Sequence, residues 1–398
     1  MTSPPGARER STLRVLDFLF REGPANRVDV VRGTDLSRAT VSKLVGELQA
    51  QGLVSEQREP PVAAGGPGGP GRAGRPPTLL ALNPERGAFG GVDFGHSSVR
   101  VAIADLAGSL IAESRTELDV DNEAERAIAL AVKELRALAA RTRPSHGRLL
   151  GVGAAISAPV RRDSGSLAAA GILPGWDAIS LRGELQRRLG VPVHVANDAN
   201  LGALAEVRTG AARGAANVVY LMLSSGIGGG LVLDGALFTG HSGMTGELGH
   251  IPVDPDGTAC RCGNRGCLET VAGAQRLRHD LRPALGPSAT LDQAASLARD
   301  GDVACRDRFT AAGQAAGRVV GSICNVVNPE LVIVGGELIV AGDLLVDAVR
   351  EGLGQTAIPA VRADVRVVAA TLGDRAELLG AIGLAIAEAD IAAVARAA

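Results

Sequence analysis

The residues between His250 and Glu269 concentrate the chemistry of this chain. Three of its five cysteines, Cys260, Cys262 and Cys267, fall within eight residues, and His250 stands ten positions before the first. Three thiolates and one imidazole make a closed tetrahedral set for zinc, the structural kind with no open coordination position. Gly263 and Gly266 permit the sharp turns that aim several sulfurs at one ion. A disulfide, or thiols buried for unrelated reasons, is the competing reading. The one-residue gap disfavours a bridge between Cys260 and Cys262, and nothing else in the chain suggests an oxidising compartment. Cys305 and Cys324 lie in apolar helical patterns, where reduced buried thiols are expected.

Other positions carry a second kind of chemistry. Val191 to Val195 reads as a strand leading into Ala196-Asn197-Asp198-Ala199-Asn200 and then a helix. A carboxylate beyond a strand end, beside an amide, suits proton removal from a hydroxyl; the plain alternative is a helix N-cap. Three glycine-bearing turns follow strand-like runs: Asp93-Phe94-Gly95, Ser224-Ser225-Gly226-Ile227-Gly228-Gly229-Gly230, and Gly335-Gly336. Backbone N–H groups in such turns can cradle phosphate, although a tight hairpin alone would explain them.

Cys-x-Cys-Gly-x-x-Gly-Cys-x-Glu at 260–269, preceded by Gly-Glu-Leu-Gly-His at 246–250, resembles the signature of the ROK family of repressors and sugar kinases. The resemblance covers most of residues 78–398. It implies an α/β, two-lobed actin/hexokinase-like (ASKHA) domain. It also implies sugar contacts from Asn197, Asp198, Glu247, His250 and Glu269, with Asp198 as the general base of a kinase. His250 would then offer one ring nitrogen to zinc and the other to a sugar hydroxyl. Asp93 and Gly95 would belong to the first phosphate loop; Ser225, Gly226 and Gly228 to the second; Gly335 and Gly336 to the adenosine side. The chain departs from the kinase pattern in places. His96-Ser97 stands where Gly-Thr is usual, Ser224-Ser225 where Gly-Thr is usual, and Ile172 where a sugar-side Asn is usual. A histidine adds bulk where glycine lets backbone approach phosphate. These departures argue against efficient phosphoryl transfer from ATP and Mg²⁺, and Asp198 is catalytic only where a donor binds. Trp176, the only tryptophan, is either a stacking surface or core.

The elements that must position these residues follow a head-and-body plan. Residues 1–58 read as a winged helix-turn-helix: helices at about 8–22, 27–32 and 38–51, with Ser37 as N-cap of the third. Leu36, Val41, Leu44, Val45 and Leu48 form that helix's buried face. Its first turns expose Ser37, Arg38, Thr40, Ser42 and Lys43, small hydroxyls and cations suited to the major groove. A helical interaction domain is the bland alternative. Charge does not separate the two, since residues 1–60 carry nine Arg/Lys against eight Asp/Glu. Residues 59–86 form a wing or linker. Strands 53–57 and 78–82 would pair, and Arg72 and Arg75 on the Pro/Gly-rich tip would suit a minor groove; a plain linker is the other reading. The body comprises a first lobe at 87–200, closed by a helix at 375–396, and a second lobe at 201–374 with the zinc site.

With 398 residues, 46% hydrophobic content and a formal net charge of −2, the chain reads as an ordinary soluble globular protein. It shows no signal peptide and no run of about 18 apolar residues, so a cytoplasmic location and no membrane partner are expected. Together these features predict a DNA-binding transcription regulator, of the repressor type, that senses a sugar or sugar phosphate and works as a homodimer or dimer of dimers on operator DNA. The alternative is an active sugar kinase carrying a DNA-binding module.

Overall fold

The computed structural model describes residues 7–58, 78–168, 172–177 and 179–389. The head begins with α1 (Ala7–Glu22), α2 (Arg27–Thr34) and α3 (Arg38–Ala50). Asn26 caps α2, its side chain accepting from the N–H groups of Val28 and Asp29; Ser37 caps α3, its Oγ accepting from Thr40 N–H. Such caps satisfy N–H groups that have no partner inside the helix. Val41, Leu44, Val45 and Leu48 are buried as their spacing requires, while Leu36 is only partly so. Gly52, at φ +72°, turns the chain into β1 (Val54–Arg58), which pairs antiparallel with β2 (Thr78–Leu82), Val54 opposite Leu82. The expected hairpin is present. Arg72 and Arg75 lie outside the described residues.

The body is two lobes with one strand plan. The first contains β3 (Ala88–Phe94), β4 (Ser98–Asp105), β5 (Leu110–Glu117), α4 (Ala124–His146), β6 (Leu149–Ile156), α5 (Leu181–Leu189) and β7 (Val193–Asn197). Its sheet runs β5-β4-β3-β6-β7. α6 (Asp198–Thr209) leads into the second lobe: β8 (Val218–Leu223), β9 (Ile227–Leu233), β10 (Ala236–Leu237), α7 (Leu268–Ala272), α8 (Ala274–Leu285), α9 (Leu291–Arg299), α10 (Val303–Val327), β11 (Leu331–Gly335), α11 (Asp343–Thr356), α12 (Pro359–Asp364) and β12 (Arg366–Ala369). Its sheet runs β10-β9-β8-β11-β12. In both sheets the first two pairings are antiparallel hairpins and the last two are parallel crossovers.

The glycine run after Ser225 reads as a loop in the sequence; the structure puts most of it in β9. The reason is packing. A Cβ on Gly228 would lie 2.8 Å from the Ala199 Cβ, and one on Gly230 would lie 2.4 Å from the Ala203 Cβ. The bare strand lets α6 press against it.

The chain returns through α13 (Ala376–Ala387). This helix crosses α6 so closely that a Cβ on Gly380 would sit 2.0 Å from the Leu201 carbonyl oxygen. Buried Glu206 on α6 fastens the turn before it, accepting from the N–H groups of Thr371 and Leu372, both at 2.9 Å. Leu378, Ile382 and Ile386, one helical face of α13, join the head core beside Leu16 and Phe20. Phe20 meets Phe89 of β3 edge to face, with centroids 5.4 Å apart. Head and first lobe thus share a continuous apolar core. Trp176 belongs to the first lobe's core: it is fully buried, packs edge-on against Phe94, and its Nε1–H donates to the Val120 carbonyl at 2.7 Å. The core reading holds, and no stacking surface is offered.

Candidate ligand cleft and metal centre

A cavity of about 710 Å³ lies between the lobes, within the size range of small-ligand sites. Asn197 and Asp198 enter it from the junction of β7 and α6; Glu247, His250 and Glu269 enter it from the second lobe. All five candidate sugar contacts therefore line one space.

Asn197 is both cap and cleft residue. Its Oδ1 accepts from the N–H groups of Ala199 and Asn200, and its Nδ2 donates to Asp198 Oδ1 at 2.8 Å. Asp198 also accepts from Ala199 N–H at 2.8 Å. Burial pushes its carboxyl above the usual range, opposed by hydrogen bonds from Ser157 and Ala199. Glu247 is pushed up to about 7 by burial and by the nearby charges of Asp198 and Glu269. Glu269 accepts from Ile227 N–H at 3.1 Å and pairs with Arg261 at 3.2 Å. Acids of this kind, held by fixed donors around an open space, suit the hydroxyls of a polyol ring.

The four predicted metal ligands converge. The donor atoms of His250, Cys260, Cys262 and Cys267 all lie within 4.8 Å of one another. His250 Nδ1 faces Cys260 Sγ at 3.5 Å, and Cys262 Sγ faces Cys267 Sγ at 3.7 Å. Three sulfurs and one nitrogen at this spacing fit a single tetrahedral ion. The other ring nitrogen, Nε2, is 3.9 Å from Glu247 Oε2, so the imidazole links the cluster to the cleft. Cys305 and Cys324 are buried and free, as expected.

The phosphate-side candidates are placed differently. Asp93 stands next to last in β3, buried, its carboxyl raised to about 7 by desolvation and by Asp198. In the following turn Gly95 N–H donates to the Ser98 carbonyl, and His96 Nδ1 bonds Asp121 Oδ1 at 2.8 Å. That hydrogen bond raises the imidazole's pKa against the effect of burial. Ser225 and Gly226 form the β8–β9 turn. Gly228 is a packing residue of β9. Gly335 ends β11 where a Cβ would meet the Tyr220 ring, so it serves packing also. Gly336 lies at φ +86° and lets Glu337 fold onto the turn.

Several cleft residues escape a reading of the sequence: Arg278, Glu337, Asp374 and Glu377; so does Asp121, which bonds the cleft residue His96. They arrive from elements far along the chain. Glu337 directly follows the Gly335-Gly336 turn, and Glu377 leaves a signal as an acid inside the apolar run of α13; burial and Asp93 push it up to about 8. In the head, the cap Ser37 and, on α3, Arg38, Ser42 and Lys43 are exposed, with Thr40 half-buried. Ser37 Oγ also meets Thr40 Oγ1 at 2.8 Å. No helix among the described residues is long and apolar enough to cross a membrane.

A winged helical head joined to a two-lobed actin/hexokinase-like body, with a cavity between the lobes, defines the class of protein. The ROK family model matches residues 89–388 and a MarR family model matches residues 9–63. The chain belongs to the ROK family. It is 27% identical to the xylose repressor of Caldicellulosiruptor bescii, over 96% of both chains. It is 34% identical to the glucokinase of Thermotoga maritima, over 74% of this chain and 96% of that one. The crystal structure of a ROK family transcriptional regulator, a homologue of the E. coli MLC protein, has the same fold. It superposes with a TM-score of 0.80 at 24% identity, covering 98% of this chain and 99% of that one.

Proposed function

We propose that this chain is a sugar-responsive transcription regulator of the repressor type that binds operator DNA through its head and a sugar in the cleft. The observation that carries the reading is the convergence of Asn197, Asp198, Glu247, His250 and Glu269, from both lobes, on one cavity in a chain that also bears a winged helical head. Full-length likeness to a repressor supports it; likeness to a glucokinase stops at about three quarters of the chain.

In this reading His250, Cys260, Cys262 and Cys267 hold a structural zinc ion, which when bound pins the second-lobe ligands. Arg38 and Lys43 contact phosphates, and Ser37, Thr40 and Ser42 approach bases in the major groove. Arg72 and Arg75 remain candidates for the minor groove. The protein acts as a dimer, because two-fold operators match two-fold proteins. A sugar that contacts both lobes favours their closed arrangement, and only that difference in affinity can shift the head. α13, touching the cleft through Glu377 and the head through Leu378, Ile382 and Ile386, is the direct physical link.

The test pairs a thermal-shift screen of neutral sugars and sugar phosphates with operator binding by fluorescence anisotropy. One sugar should raise the melting temperature and change operator affinity at least tenfold. Turnover of a sugar with Mg-ATP near 1–100 s⁻¹, the ordinary kinase range, would replace this reading with the kinase one.

A further inference from the structure

The turn Ser224-Ser225-Gly226 is shaped for an anion, and the protein supplies one itself. Glu337 Oε1 accepts two hydrogen bonds from a single residue of that turn, from Ser225 N–H at 3.0 Å and from Ser225 Oγ at 2.9 Å. Its second oxygen takes the guanidinium of Arg278, from α8. Its own N–H donates to Ser224 Oγ at 3.1 Å. Burial pushes this carboxyl up, but Arg278 and the two Ser225 donors outweigh it and hold it below the usual range, so the group is an anion at neutral pH. A backbone N–H, a hydroxyl and a guanidinium converging on oxygens are the donors that a phosphate takes in a glycine-turn site. Gly336 makes the placement possible. At φ +86°, and with a Cβ position 2.6 Å from the Leu223 carbonyl group, it lets the chain after β11 lie directly on the turn.

We propose that Glu337 is a built-in anion occupying the phosphate cradle of the β8–β9 turn, and that this side chain excludes nucleoside triphosphates from its half of the cleft. The serine-for-threonine change beside it leaves the donors in place. A triphosphate entering here must displace a carboxylate already paired with Arg278 and must approach its negative charge. Without Glu337, the Ser225 donors and Arg278 are released together and face the same space. The proposal concerns the Ser225, Arg278 and Glu337 side of the cleft, which Glu269 borders through Ile227 N–H, and it stands whether or not a sugar binds.

Full-length wild type, Glu337→Ala and Glu337→Gln are titrated calorimetrically with Mg-AMP-PNP and, separately, with magnesium tripolyphosphate. Wild type should give no saturable binding at millimolar ligand. Glu337→Ala should bind both ligands at least tenfold more tightly. Glu337→Gln should show saturable binding of both ligands, weaker than that of Glu337→Ala, because its amide oxygen can still accept from Ser225. No gain in a folded Glu337→Ala, or wild-type binding equal to that of the variant, overturns the proposal. A gain for AMP-PNP without one for tripolyphosphate also overturns it, since the opened site would then be a nucleoside pocket and not a phosphate cradle. If Glu337→Ala does not fold, the near-isosteric Gln variant decides: a gain for both ligands supports the proposal, and no gain ends it.

Discussion

Around Asn197, Asp198, Glu247, His250 and Glu269, side chains from both lobes face a shared space and their hydrogen bonds run mainly to their own backbone supports. Across the cleft, the two turns that share one topological position in the two sheets are closed by the protein's own groups. In the first lobe His96 bonds Asp121; in the second Ser225 and Arg278 hold Glu337. Beside them Asp374 takes Arg100 at 2.6 Å, with Arg115 at 3.7 Å. A duplicated strand plan therefore does not keep its two turns equivalent to a ligand. One half of the cavity keeps acids aimed inward, with Glu269 paired to Arg261; the other closes both turns with the protein's own bonded pairs and leaves Asp93 and Glu377 buried beside them, where a kinase would bring a polyanion and its cation.

The sharpest way to break this contrast is at the metal centre. Cys267→Ser should lower stability by more than ~4 kcal/mol, the range in which loss of a metal falls, and should abolish sugar binding by displacing Glu247, His250 and Glu269. Metal analysis should find about one zinc per chain before the change and almost none after it; an unaltered melting curve would remove the metal from the account. Next in size, Asp198→Asn should weaken the effector by about 2–3 kcal/mol, roughly 30–150-fold, the cost of losing a charged buried acceptor. Operator affinity without sugar should stay as it was, which separates ligand binding from folding.

A smaller effect comes from pH. Glu377 is neutral in the fold up to about pH 8 but ionises near 4.5 once unfolded. Its favourable contribution is complete below pH 4.5 and is lost as pH rises toward 8, because the unfolded state then ionises more readily. Chemical denaturation of wild type and Glu377→Gln should agree near pH 5, and the variant should be more stable at pH 8 by about 1 kcal/mol, a figure reduced for the group's partial exposure. The smallest change should be His96→Gly, which restores a kinase-like residue. It should cost less than ~1 kcal/mol, as exposed pairs do, and should confer no nucleotide binding while Glu337 is present. Nucleotide binding by this variant alone would shift the obstacle from the second lobe to the first.

Local spacing made much of this molecule readable. The Cys/His cluster, the cap at Ser37, the hairpin of strands 53–57 and 78–82, and the five residues that meet in the cleft all rest on patterns within a few positions, or on a short signature. What was not readable comes from distance and from ambiguous residues. Glu337 follows a glycine turn that the sequence marks, but it reaches Ser225 across 112 positions, and nothing local says which turn its carboxylate meets. The glycines after Ser225 announce an open loop as well as they announce a strand lying under a helix, and only the position of α6 decides. Trp176 is ambiguous for the same reason, since a single large ring serves core or ligand equally until its neighbours are known.

α13 has a consequence for genetics. Its first turn borders the cavity and its later turns carry the reader of DNA, so no stretch of this helix is free to vary for one task alone. Alleles that uncouple sugar from gene expression should therefore cluster at 378, 382 and 386 and come with a heat-sensitive phenotype. Alleles in the metal loop should be lost outright, and those on the exposed side of α3 should silence regulation without any cost to growth temperature.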